Sequence, residues 1–112
     1  ILNEYTKEYF EIDQESPHML INARVLDAKI NEIPAVIHVD NTARIQTVKP
    51  ENNTRFRKLL EEFHKETGCP VLLNTSFNIK GQPIVNSPDE AIDCFLGTNI
   101  DVLVIGDFVL EK

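Results

Sequence analysis

A basic surface is the first thing this chain lacks. Its 11 Lys and Arg are outnumbered by 18 Asp and Glu, which leaves a net charge of -7. No Lys/Arg-rich run is present, so the electrostatic grip of a general nucleic-acid binder is missing and no nucleic-acid partner is expected. No apolar run approaches the roughly 18 residues that a membrane helix needs. No signal peptide is visible either, so no membrane partner is expected and the cytoplasm is the expected compartment. The two cysteines, Cys69 and Cys94, stand alone without metal-ligand spacing. They read as free core thiols of a reducing compartment. The chain has no Gly-x-Ser-x-Gly, no Walker loop and no nucleophile-plus-base arrangement, so no catalytic residue and no metal ligand is assigned to it. There is no internal repeat. An initiator methionine is absent as well, and the start at Ile1 reads as a processed protein or a piece of a larger one.

What is present is enough apolar residue, 42% of 112, for one modest core, and residues 1–112 are read as a single domain. The chain is organised around Cys69-Pro-Val-Leu-Leu-Asn-Thr-Ser-Phe-Asn-Ile-Lys-Gly-Gln-Pro-Ile-Val85. Pro70 opens an apolar run, Val71-Leu72-Leu73, of the length of a buried strand. The run stops at Asn74-Thr75-Ser76, with Asn78 and Gly81 close behind. Ligands of open α/β sheets sit beyond the carboxyl ends of the strands. Hydroxyls and amides there can meet a polar ligand, and Gly81 lets the backbone come close. The plainer reading is a turn.

The order of elements follows from periodicity. Residues 3–12 place Tyr5, Tyr9 and Ile12 on one face of a short helix, which Ser16-Pro17 ends. His18–Val25 reads as a strand, 27–33 as an exposed connection, and Pro34–Val39 as a second strand rich in β-branched residues. Asp40-Asn41-Thr42 is a turn signal before Ala43–Val48 resumes. Asn52 or Asn53 can cap a helix over 54–67 whose Phe56, Leu59, Leu60 and Phe63 face inward, with Arg57 and Glu61–Lys65 on a solvated face. Gly68 stops it. Ser87-Pro88-Asp89-Glu90 starts a second helix that buries Ala91, Ile92 and Phe95. Asp101–Gly106 is a last core strand, continued by 107–112 past a glycine break. This order predicts a layered α/β or α+β domain in which Val71–Leu73, Ala35–Val39 and Val102–Ile105 are central strands of one sheet.

Two polar constellations carry candidate chemistry. His38, Asp40, Thr42 and Arg44 fall on one side of an extended chain. The guanidinium of Arg44 suits a phosphate or carboxylate; the plainer reading is an Arg44–Asp40 or Arg24–Asp40 pair that closes a turn. Asn74, Thr75, Ser76 and Asn78 form the second. Both suggest anion or nucleotide recognition.

These residues carry a resemblance. Ser16-Pro-His-Met19, Pro34-Ala-Val-Ile-His-Val-Asp-Asn-Thr-Ala-Arg-Ile-Gln-Thr-Val48 and Pro70-Val-Leu-Leu-Asn-Thr-Ser-Phe-Asn78, then Gly81-Gln-Pro-Ile-Val85 and Ile100-Asp-Val-Leu-Val-Ile-Gly106, look like the C-terminal region of O-carbamoyltransferases of the NodU/CmcH type. The resemblance implies a YrdC-like fold, a twisted mixed sheet with helices packed on it, truncated at its N-terminus. It implies that carbamoyl phosphate and ATP, with Mg²⁺ on the phosphates, react there to give carbamoyl-adenylate and pyrophosphate. A missing N-terminal ASKHA-type domain of the same polypeptide, holding its own metal outside this chain, would then pass the carbamoyl group to a hydroxyl. By the same resemblance Arg44, Asn74, Ser76 and Asn78 bind substrate and nucleotide, and His38, Asp40, Thr42, Thr75 and Gly81 support the loops. Asn41 stands where many relatives carry Gly, and Asn tolerates a left-handed turn. Relatives have a Lys/Arg-rich segment upstream that this chain lacks, so the fragment alone is expected to be inert. The alternative is a non-catalytic nucleotide-binding or docking module.

Overall fold

The computed structural model describes residues 1–51 and 54–112, with Thr54 described by its backbone only. The caps expected of Asn52 or Asn53 lie outside the described residues. The chain divides into two compact units, Ile1–Leu73 and Asn74–Lys112.

In the first unit a 3₁₀ turn at Asn3–Tyr5 runs into helix α1, Thr6–Tyr9. The Thr6 hydroxyl donates to the Asn3 carbonyl at 2.8 Å. The helix ends where Phe10 turns extended, which leaves Tyr9 and Phe10 buried side by side. Strand β1, Ile21–Arg24, then pairs antiparallel with β2, Thr42–Ile45, in the register Ile21↔Ile45 to Arg24↔Thr42. Alternation sends Ala23, Ala43 and Ile45 into a core with Tyr9, Phe10, Val25 and Ile33. A parallel ladder flanks it. Val48 donates to the Ile1 carbonyl, Asn3 donates to the Val48 carbonyl, and the Ile1 nitrogen donates to the Gln46 carbonyl at 2.8 Å.

Helix α2, Thr54–Thr67, has the bounds expected of it, and Gly68 ends it at φ +75 with its N–H on the His64 carbonyl. Its inward face differs from expectation. Leu60 is fully buried against Leu2 and Val48, but Leu59 is exposed and Arg57 is buried. Burial of Arg57 is tolerable because every face of its guanidinium is met: by both oxygens of Glu4, by Glu61 at 2.7 Å and by the Val48 carbonyl at 2.8 Å. The expected Glu61–Lys65 pair gives way to this one, and Lys65 reaches Glu62 instead at 3.4 Å.

Two expected strands are absent. Pro34–Val36 is a 3₁₀ turn and Val39 is wholly exposed. Pro34 has no N–H for a ladder, and its fixed φ suits the first position of a helical turn, which outweighs the β-branched run behind it. Val71–Leu73 has no strand assignment: Pro70 accepts from the Leu2 N–H at 3.2 Å, and Leu73 is exposed. Three residues between a proline and Asn74 offer too few donors to hold a strand in place.

The second unit is built on helix α3, Pro88–Leu96, which starts as its sequence requires. Pro88 stands at the first position and the Ser87 hydroxyl accepts the Glu90 N–H at 3.2 Å. The Glu90 carboxylate reaches back to the Asn86 N–H at 2.7 Å, one residue before the expected partner. Ala91, Cys94 and Phe95 are buried, and Ile92 is only partly so. Strands β3, Val102–Ile105, and β4, Phe108–Glu111, pair antiparallel, Ile105 facing Phe108. Residues 107–112 therefore reverse the chain rather than continue it, because Gly106 adopts φ +59, the left-handed conformation that a two-residue hairpin loop needs. Leu103 and Leu110 close on Phe95. The class is α+β, as read from the sequence, with two small antiparallel sheets in place of one.

Candidate functional site

The outward face of the β1–β2 ribbon holds the first polar group. Thr42 and Arg44 alternate with buried Ala43 and Ile45, so they share that face. The register sets Arg24 opposite Thr42 and Asn22 opposite Arg44. At the ribbon's end the chain turns back at Asn41, whose N–H donates to the His38 carbonyl at 3.0 Å and whose φ is +62, the left-handed conformation that Asn tolerates. The turn brings His38 and Asp40 onto Thr42. Asp40 Oδ1 accepts from the Thr42 hydroxyl at 2.7 Å and from its N–H at 3.0 Å, and His38 Nδ1 stands 3.1 Å from the same hydroxyl. The Thr42 hydroxyl and N–H hold the Asp40 carboxyl below its usual pKa range.

Arg44 does not close this turn. Asp40 is satisfied by Thr42, and Arg24 pairs with Asp27 at 3.3 Å and Glu11 at 4.0 Å. Among the described residues the Arg44 side chain is exposed and has no ion pair or hydrogen bond. An open guanidinium fork on the ribbon face can donate two N–H groups to an oxyanion.

The second polar group lies in the second unit. The Ser76 hydroxyl donates to Asn78 Oδ1 at 2.7 Å, and Asn78 Nδ2 donates to the carbonyls of Ile79 at 3.2 Å and Gln82 at 3.3 Å. Asn78 thus staples the turn at 79–82, in which Gln82 donates to the Ile79 carbonyl and Gly81 takes φ +87. A Cβ on Gly81 would meet nothing within 4 Å, so the glycine serves the turn and not a close approach. Asn74, Thr75 and Ser76 are exposed. Asn78 also borders an open cleft of about 600 Å³ lined by Ile84, Asn86, Glu90 and Asp93.

His38, Asp40 and Thr42 are thus brought together with Arg44 beside them, and Ser76 is joined to Asn78. Sequence reasoning overlooked Asn22, which joins the ribbon face only through cross-strand register, and the Arg24–Asp40 pair it allowed is replaced by Arg24 with Asp27 and Glu11. Among the described residues no group of three or more His, Cys, Asp or Glu side chains is placed to hold a metal ion.

The model of the family "Carbamoyltransferase C-terminus" matches residues 1–112. An uncharacterized protein of Synechocystis sp. is 46% identical over 132 residues, covering 100% of this chain and 22% of that protein. Nodulation protein NolNO of Sinorhizobium fredii is 43% identical over 100% of this chain and 17% of its own length. The 3'-hydroxymethylcephem-O-carbamoyltransferase of Amycolatopsis lactamdurans is 36% identical over 88% of this chain and 18% of its own length. The chain therefore spans about a fifth of the curated relatives it matches. It belongs to the carbamoyltransferase C-terminus family.

Proposed function

We propose that this chain is the part of an O-carbamoyltransferase in which carbamoyl phosphate and ATP are turned into carbamoyl-adenylate. The observation that carries the reading is the family match over the whole chain, and the unpaired Arg44 fits it chemically. The atoms balance in two steps. Water cleaves the P–O bond of carbamoyl phosphate, releasing inorganic phosphate and carbamate. A carbamate oxygen then attacks the α-phosphorus of ATP, and pyrophosphate leaves. No covalent enzyme intermediate is needed, so the protein contributes position and charge. In the first unit Arg44 holds a phosphate oxygen through its fork. Taken by itself, the second unit offers Asn74, Ser76 and Asn78 as groups that suit a nucleotide. Mg²⁺ travels with the ATP phosphates. A separate, N-terminal part of the longer polypeptide passes the carbamoyl group to a hydroxyl, as the printed name of the Amycolatopsis relative suggests for that protein.

The test is ATP–pyrophosphate exchange by the full-length protein, which should depend on carbamoyl phosphate. Arg44→Lys keeps the charge and loses the bidentate fork. A lost charge-assisted hydrogen bond is worth roughly 1.5–3 kcal/mol, so exchange should slow about ten- to a hundredfold. ATP binding without any exchange would instead favour a non-catalytic nucleotide-binding module.

A further inference from the structure

The chain Asp40–Thr42–His38 has a direction. Asp40 Oδ1 lies 2.7 Å from the Thr42 hydroxyl, and an ionised carboxylate only accepts hydrogen bonds. The Thr42 proton therefore points at Asp40, and the hydroxyl can meet His38 Nδ1, 3.1 Å away, only as an acceptor. That requires a proton on Nδ1. Neutral imidazole carries one proton, so Nε2 is left with its lone pair. His38 is an exposed side chain at the end of the ribbon face that also carries the unpaired Arg44.

We infer that His38 is locked as the Nδ1–H tautomer, so that its Nε2 accepts a hydrogen bond from the NH₂ of a carbamoyl group and selects carbamoyl phosphate over acyl phosphates. The inference rests on the proposed carbamoyl phosphate chemistry, and it names the group that reads the carbamoyl end. Arg44 attracts the phosphate of any acyl phosphate alike. An acetyl group has a methyl where carbamoyl has NH₂, so it leaves Nε2 without a donor, and a site built around such an acceptor discriminates against the analogue. Asp40 and Thr42 act through His38 and are positioning residues. The low pKa of the Asp40 carboxyl keeps the chain in this direction at neutral pH.

Long-range ¹H–¹⁵N correlation of the imidazoles of this chain, well above the usual histidine pKa of about 6.5, reads the tautomer directly. His38 should show Nδ1–H. Thr42→Val should return it to the Nε2–H form that free imidazole side chains prefer, and Thr42→Ser should not. An Nε2–H tautomer in the unaltered chain would overturn the inference. Carbamoyl phosphate should then shift the His38 Nε2 resonance while acetyl phosphate leaves it in place, and equal responses, or none, also overturn it. In the full-length protein His38→Phe should lower the preference for carbamoyl over acetyl phosphate roughly tenfold or more, with the acetyl phosphate value unchanged. An unchanged preference counts against the inference. If the His38 resonance responds to carbamoyl phosphate and the full-length protein shows no exchange, the adenylate reading fails and the binding role of His38 stands.

Discussion

Leu60→Ala and Leu59→Ala, made one at a time, test which face of α2 carries the packing of the first unit. Leu60 is 0% exposed against Leu2 and Val48, with Phe56 and Leu72 beside it, whereas its neighbour Leu59 is 57% exposed. Truncating a fully buried leucine removes its transfer free energy and leaves a cavity, together roughly 2–5 kcal/mol, a large part of a domain's usual 5–15 kcal/mol. Leu59 has little buried apolar area to lose, and alanine is the better helix former, so its truncation should cost about 1 kcal/mol or less. Urea melts of the two variants, with unchanged m-values, read the difference directly. Equal losses, or a larger loss for Leu59→Ala, would refute the seating of α2 on Leu60.

Arg57→Met should destabilise the first unit by roughly 2–4 kcal/mol in chemical denaturation, since it strips a buried guanidinium from Glu4, Glu61 and the Val48 carbonyl. In that variant the Glu4 carboxyl, now held below its usual range by the hydrogen bond from Arg57, should titrate near the ordinary value by NMR. A cap is lost in Ser87→Ala, which should cost about 1 kcal/mol in the second unit's melt, with Ser87→Asp nearly neutral. The 112-residue chain by itself should leave ATP–pyrophosphate exchange at background, and clear exchange would show that it assembles a complete site.

Elements specified by local chemistry were readable in advance. Helix α2 follows from its apolar spacing and Gly68, and α3 from Ser87, Pro88 and Glu90, whose preferences agree with one another. Elements specified by partners were not. Pro34–Val39 has the composition of a strand, but a strand exists only where a ladder receives its donors, and Pro34 starts a 3₁₀ turn instead. Arg57 looked like one of several charges on a solvated face, because only the fold brings Glu4 to it across 53 residues. At the candidate site the residue types were legible, and the sharp turn at Asp40-Asn41-Thr42 was too. The direction of the hydrogen bonds from His38 through Thr42 to Asp40 was not, since it depends on distances that no spacing encodes.

The distribution of charge bears on the proposed adenylate chemistry. Adenylate formation brings a phosphate dianion to a triphosphate, and the site must offset several negative charges at once. The chain's net charge is -7, and the arginines Arg24 and Arg57 are committed to carboxylates. Among the described residues Arg44 has no partner on the ribbon face, where a guanidinium can order one oxyanion but not neutralise a tetra-anion. On the proposed reading, a domain with this balance recognises one end of carbamoyl phosphate, by fork and by imidazole, and the remaining cations come from elsewhere. The relatives are about five times as long as the matched region, which leaves ample chain to supply them. On this reasoning, restoring activity to the isolated chain takes added cations in trans and not a change at Arg44, and Arg44→Lys should weaken the intact protein even when those cations are present.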